Sequence, residues 1–235
     1  MSKYRGPRLR VIRRIGELVA FTRKTFKHAG RLRKRRSGQR KLTQFARRLI
    51  EKQKLLFYYG VSEKQFIKYI KIARKSKKVS GLFLLQLLAM RLDNVIFCLS
   101  LAPTLPSARQ LVNHGKVTVD HKRITIPSFS CFFGQILSFR NLAKIHKLAK
   151  DNFYGCRRMF PFYLTFNLDF LSAIVNNIAN QNDIPLNLNN RLVIEYYSNR
   201  LLCIISVSIF FEIQYLCFVF LILCLQLFFL LFLYR

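Results

Sequence analysis

Tryptophan is absent from the 235-residue sequence, and acidic side chains are scarce: ten aspartates and glutamates stand against 41 lysines and arginines, a formal net charge of +31. Such a balance excludes an acidic enzyme or an ordinary neutral cytosolic domain. The six cysteines (Cys98, Cys131, Cys156, Cys203, Cys217, Cys224) are far apart, without a CxxC pair and without histidine at zinc-site spacing. Neither a disulfide framework nor a metal cluster is expected, and the thiols read as reduced core residues. The start, MSKYRGPRLR, lacks the apolar run of a secretory signal, so the expectation is a protein made where it works. Catalytic signatures are missing too: there is no GxGxxG, HExxH or GxSxG, and Gly115-Lys116 lacks the upstream glycine of a phosphate loop. His28, His114, His121 and His146 show no triad spacing with the scattered acids. An enzyme is not expected, nor a cofactor.

What is present is a packed core and a lopsided charge. Hydrophobic residues make up 51% of the chain, too many for a disordered polymer. Residues 1–78 hold 27 lysines and arginines against Glu17, Glu51 and Glu63, whereas residues 79–235 hold 14 against seven acids. Self-repulsion of that density is tolerable beside a polyanion, and nucleic acid is the usual one, with anionic lipid as its competitor.

Four stretches follow from the patterning: a basic helical domain over 1–80, a helix–helix–hairpin domain over 81–155, the closing part of the soluble fold over 156–200, and an apolar extension over 201–235. The first forty residues read as an arm with short helical pieces that orders on its partner. A helix is predicted from about Lys41 to Phe57, ended by Tyr59 and Gly60. Ser62 then opens a capping box with Gln65, and a second helix runs on through Phe66, Ile70 and Ala73 toward Lys75. Leu82 to Leu99 reads as one strongly apolar helix stopped before Pro103. Thr104 caps a short helix over Pro106 to His114, with Gly115 at its left-handed end. Lys116 to Val119 and Arg123 to Ile126 form a hairpin about Asp120 to Lys122, Gly134 to Phe139 gives a third strand, and Leu192 to Tyr197 closes the fold as a strand. The class is α+β. Beyond Leu201 the only charges are Glu212 and Arg235, and Tyr215 to Tyr234 is long enough to cross a bilayer core of about 30 Å as a helix.

Candidate binding residues are cations interleaved with aromatics: Tyr4 among Arg5, Arg8 and Arg10, then Arg13 and Arg14, Arg47 and Arg48, and Lys52 and Lys54 ahead of Tyr58 and Tyr59. Guanidinium groups grip phosphate with a fork of donors, and aromatic rings stack on splayed bases, so structured RNA suits the mixture. Further along, Arg109, Gln110, Asn113, His114 and Lys116 share one surface beside Lys122 and Arg123, a patch able to follow backbone phosphates. Gln110 and Asn113 serve equally well as backbone hydrogen-bonding residues.

Several of these runs resemble a known family. MRLDNVIF (Met90 to Phe97), APTLPSARQLVNHGKVTV (Ala102 to Val119) and ITIPSF (Ile124 to Phe129) are similar to the RNA-binding domain named after small-subunit ribosomal protein four. That domain also occurs in tRNA synthetases and pseudouridine synthases, and the flanks decide among them. YRGPRLRVIRRIG (Tyr4 to Gly16), EKQKL with YGVSEKQF (Glu51 to Phe66) and LVIEYYS (Leu192 to Ser198) resemble the ribosomal protein family itself, most closely its plastid form. The resemblance covers about residues 3 to 200. It implies a structural protein of the small subunit that binds a multi-helix junction in the 5′ domain of the rRNA, nucleates assembly of the body and influences decoding accuracy with neighbouring ribosomal proteins, in the chloroplast. It places Tyr4, Arg13, Arg14, Lys52 and Lys54 on rRNA, puts Arg91, Arg109, Gln110, Asn113, His114 and Lys116 on an RNA-facing pattern, and gives Asp93 the task of orienting a neighbouring arginine. The sequence departs from the family at Cys98 and Ser100, at the Asp120-His121 turn, at Phe132-Phe133, at Asn190 and Asn199, and in the extension after Leu201. That extension is expected to be a lineage-specific addition; the alternative is a membrane anchor on a basic RNA-binding protein.

Overall fold

The computed structural model describes residues 4, 6–24, 42–140, 143–155, 161–167, 171–180, 183–184, 186 and 188–198. The chain divides into two compact units, Met1–Val193 and Ile194–Arg235. The basic run Arg31 to Arg36 and the apolar extension from Leu201 lie outside the described residues.

The described part of the basic front holds three helices, of which the second and third fall where the apolar spacing predicts them. α1 (Arg8–Ile15) buries Ile12 and Ile15 and turns Arg10, Arg13 and Arg14 outward. α2 (Gln44–Tyr59) begins behind Thr43, whose hydroxyl accepts from the Ala46 N–H at 3.3 Å, and stops at Gly60, left-handed at φ 54°. α3 (Glu63–Lys75) starts where the Ser62 signal puts it, but the capping box is not formed. The Ser62 side chain makes no cap bond, and its carbonyl accepts the first helical bond from Phe66 N at 2.9 Å. Phe66, Ile70 and Ala73, spaced by four and three residues, form the buried stripe of α3.

The single apolar helix expected over Leu82 to Leu99 is two helices, α4 (Ser80–Ala89) and α5 (Leu92–Cys98). Helical periodicity runs unbroken through the join, so hydropathy alone carries no sign of it. The break is made by pairing: Leu92 N donates to Phe129 O at 2.9 Å, Cys131 N donates to Met90 O at 2.8 Å, and Arg91 bridges Ser130. The extended Arg91 (ψ 138°) lets the chain exchange two helical bonds for these tertiary ones.

α6 (Leu105–Asn113) buries Leu105, Ala108 and Val112 and ends before Gly115 at φ +63°. The hairpin follows as β1 (Val117–Val119) and β2 (Lys122–Arg123). Its two-residue turn holds Asp120 and His121 at φ 48° and 64°, the positive angles of a type I′ turn that usually calls for Asn-Gly. Asp120 offsets that strain by accepting from the Ile136 N–H at 2.9 Å, which ties the turn to the next strand. β3 (Ile136–Phe139) is the expected third strand, shorter by two residues at its start.

The sheet continues past the expected boundary at 155. After α7 (Ala143–Gly155), β4 (Leu164–Asn167) and β5 (Ser172–Val175) join it in the order β2-β1-β3-β5-β4, antiparallel throughout. Val117, Val119, Leu137, Phe139, Leu164, Ala173 and Val175 fill its buried face. The closing strand expected over Leu192 to Tyr197 is instead part of a helix over 190–198. Its buried residues Val193, Tyr196 and Tyr197 recur at three and four, the helical and not the alternating period. Among the described residues, no helix is long and apolar enough to cross a membrane.

Candidate nucleic-acid interface

Two groups of sequence-predicted residues remain on the surface. On the helical front, Arg10, Arg13, Arg14 and Arg47 are exposed, and Arg8, Arg48 and Lys54 are half-buried. Arg14 donates through Nη2 to Gln53 Oε1, Arg8 donates to Phe21 O at 3.3 Å while its guanidinium covers the Phe21 ring at 5.5 Å, and Lys54 pairs with Glu51 at 2.6 Å. Tyr4 is 45% exposed and packs edge-on to Phe57, 5.4 Å between centroids. Arg5 lies outside the described residues.

The second group is the α6–hairpin surface. Gln110, Asn113, His114, Lys122 and Arg123 are exposed and Lys116 is half-buried. Gln110 and His114, one helical turn apart, line a hollow of about 240 Å³ with Lys116, Phe139 and Asn152. The structure thus brings Gln110, His114 and Lys116 to one hollow, whose lining does not include Arg109 or Asn113. Arg123 lies over Gly115, which fixes the hairpin against the end of α6.

Three residues with RNA-facing expectations are turned inward. Arg91 is 1% exposed, Lys52 is buried, and Arg109 is largely enclosed. Lys52 pairs with Glu63 at 2.7 Å, joining α2 to the start of α3. Arg91 and Arg109 share the buried carboxylate of Asp93: Arg91 donates through Nε at 3.1 Å and Nη2 at 2.9 Å, and Arg109 through Nε at 2.7 Å. The Asn94 N–H adds a fourth bond at 2.9 Å. Arg91 Nη1 donates to the Tyr69 hydroxyl at 2.7 Å, while Arg109 reaches Gly60 O at 2.5 Å and Tyr59 O. Their placement has a physical reason: a guanidinium removed from water needs its donors filled and its charge met, and protein acceptors supply both here.

The Asp93 cluster holds α3, α5, α6 and the α2–α3 turn to one another. Burial works to lower the pKa of Arg91, but its ion pair and hydrogen bonds with Asp93, supported by Tyr69, raise it overall. Nearby, burial pushes the Tyr59 hydroxyl well above its ordinary value, aided by Tyr58, Cys98 and Asp93. Asp93 thus orients arginines, as its place in RLDN implies. The links of Arg109 to the Tyr59 and Gly60 carbonyls and of Arg91 to Tyr69 carry no local signal, because those contacts span 50, 49 and 22 residues. The signal available was an Arg-x-Asp triplet enclosed by apolar helical sequence. Among the described residues no group of three or more His, Cys, Asp or Glu side chains is arranged to hold a metal.

The described chain thus has a basic helical part followed by an α+β module with an exposed basic helix–hairpin surface. The S4 domain model matches residues 90–135, and the model described as the Ribosomal protein S4/S9 N-terminal domain matches residues 3–89. Small ribosomal subunit protein uS4 of Trichodesmium erythraeum is 44% identical over 201 residues, 85% of this chain and the whole of the relative. The uS4c protein of Marchantia polymorpha is 42% identical and the uS4 protein of Microcystis aeruginosa 46% identical over the same coverage. The chain belongs to the small ribosomal subunit protein uS4 family, which is structural and not enzymatic.

Proposed function

We propose that the chain is a structural, rRNA-binding component of a small ribosomal subunit, and that it grips a multi-helix junction in the 5′ domain, nucleates assembly of the subunit body and contributes with neighbouring ribosomal proteins to translational accuracy. The observation that carries the reading is the exposed row Arg10, Arg13 and Arg14 on a helix whose other face is anchored by Ile12 and Ile15. A helix fixed in this way presents its guanidinium groups to phosphates at little further entropic cost. Tyr4, Arg8, Arg47, Arg48 and Lys54 extend that surface, and Gln110, Asn113, His114, Lys116, Lys122 and Arg123 form the second contact. Arg91, Arg109 and Lys52 act from inside, by holding the two surfaces in place.

The compartment we propose is the plastid. Its support is the set of chloroplast relatives, among them those of Marchantia polymorpha and Takakia lepidozioides, which match about as well as the cyanobacterial ones. The domain limits at 80, 155 and 200 are part of the same reading, with the 156–200 part supplying strands to the hairpin's sheet. The experiment is quantitative mass spectrometry of sucrose-gradient fractions of organelle lysate. Co-migration with small subunits is expected; absence from them rejects the reading. Carbonate extraction of the membranes addresses residues 201–235, since retention after ribosomes dissociate would establish a membrane anchor.

A further inference from the structure

A cleft of about 810 Å³ opens between the end of α2, the α2–α3 turn and the start of α6. It falls in the roughly 300–1,000 Å³ range of pockets that enclose small organic groups. One side is aromatic. Tyr4, Phe21 and Phe57 pack against one another with centroids 5.4 to 6.0 Å apart, so each ring is fixed by two others, and Tyr4 and Phe57 line the cleft. The other lining groups with charge are Arg8, Lys52 and Arg109 against the single carboxylate of Glu63. Arg109 bonds the Gly60 carbonyl across the cleft floor at 2.5 Å, so the two sides are joined before any ligand arrives.

This chemistry selects its occupant. Lys52 and Arg109 are already paired with Glu63 and Asp93, so Arg8 is the guanidinium beside the rings that meets an anion, and a free phosphate would leave the aromatic wall unused. A nucleotide satisfies both, with a flat π-face for the rings and an anionic group for the guanidinium. We propose that the cleft captures one unpaired nucleotide of the rRNA, its base stacked on the exposed Tyr4 ring with the nearly perpendicular Phe57 ring against its edge, and its phosphate on Arg8. The guanidinium of Arg8 uses one donor on Phe21 O and carries five in all, which leaves it able to accept a phosphate without losing its anchor. This rests on the rRNA-binding reading and adds base capture to a surface otherwise described as gripping backbone.

The test uses the full chain with a 5′-domain rRNA transcript carrying 4-thiouridine or 6-thioguanosine, irradiated and analysed by peptide mass spectrometry, alongside Kd values for Tyr4→Ala and Tyr4→Phe. Tyr4 is 45% exposed but packs on the buried Phe21, so thermal midpoints of both variants are measured beside the Kd values, and Tyr4→Phe keeps the ring packing. The expected results are crosslinks to peptides holding Tyr4 or Phe57, about tenfold weaker binding for Tyr4→Ala with an unchanged salt slope, and near-normal binding for Tyr4→Phe. Unchanged affinity of Tyr4→Ala overturns base capture, as does a weaker affinity accompanied by a shallower salt slope, which marks a lost phosphate contact instead. If the unaltered chain does not bind the transcript, the wider reading falls and this one with it; tight binding without use of the cleft removes this one alone.

Discussion

Arg91 and Arg10 carry the same side chain into opposite surroundings. Arg91 is enclosed with Asp93, Tyr69 and, through the shared carboxylate, Arg109; Arg10 stands in solvent on α1 beside Arg13 and Arg14. The difference teaches that a surplus of positive charge is not all binding surface. Among the described residues, Arg91 and Arg109 are internal fasteners that tie α3, α5, α6 and the α2–α3 turn together, whereas Arg10, Arg13 and Arg14 are exposed. Stability and RNA affinity are therefore expected to separate between the two groups.

The sharpest way to break the comparison is at its acid. Asp93→Ala strands two enclosed guanidinium groups, and the expected loss is about 3–5 kcal/mol of unfolding free energy, read by urea denaturation. Arg10→Ala, measured beside it, is expected within about 0.5 kcal/mol of the parent. Equal effects at the two sites would erase the distinction. Next in size is affinity: Arg13→Ala combined with Arg14→Ala is expected to weaken binding to a junction transcript by about 1–3 kcal/mol, with little change in thermal midpoint. An unchanged Kd in filter binding at 150 mM salt contradicts the surface assignment.

A smaller effect is expected at the α2–α3 turn. Gly60 sits at φ 54°, and a Cβ there would lie 2.8 Å from Arg109 Nη1. Gly60→Ala is expected to cost about 1–2 kcal/mol by left-handed strain alone, in the same denaturation assay; a neutral result would mean the Arg109 clamp tolerates displacement. The least effect at neutral pH comes from buried acids. Burial, then the charges of Asp93 and Asp120, pushes the Cys131 thiol up from 9.0 to about 12, and burial raises Tyr59 and Tyr163 as well. These groups keep their protons longer in the folded than in the unfolded chain. Their contribution is fully present below about pH 9 and is lost as pH rises toward 12. Denaturation midpoints measured from pH 8 to 11 should fall, and a flat profile would contradict the burial of all three.

How far the sequence announced this arrangement varies with the range of the forces involved. α2, α3, α6 and the hairpin were legible because each is set by local period or turn chemistry: the Phe66, Ile70, Ala73 stripe, Gly60 and Gly115 as stops, and Asp120-His121 between alternating runs. The break at Met90 and Arg91 was not, since it is made by backbone bonds to residues 129–131 across an unbroken apolar pattern. β4 and β5 are four residues each, too short for alternation to stand out in Asn-rich surroundings. The helix over 190–198 was misread because Val193, Ile194, Tyr196 and Tyr197 favour strands by residue type, while their burial follows the helical period. In the candidate interface, exposed residues such as Arg13, Arg14, His114 and Lys122 are singled out by charge density and order of motifs. Arg91, Arg109 and Lys52 looked the same in sequence, and only their tertiary partners set them apart.

The central claim is that the outward cations recognise folded rRNA and do more than attract any polyanion. Its most direct measurement is the Kd of the full chain for a 5′-domain junction transcript against an unstructured RNA of equal length, each in the presence of excess heparin. The account predicts that the junction complex persists while the unstructured RNA is displaced; equal displacement of both would contradict it.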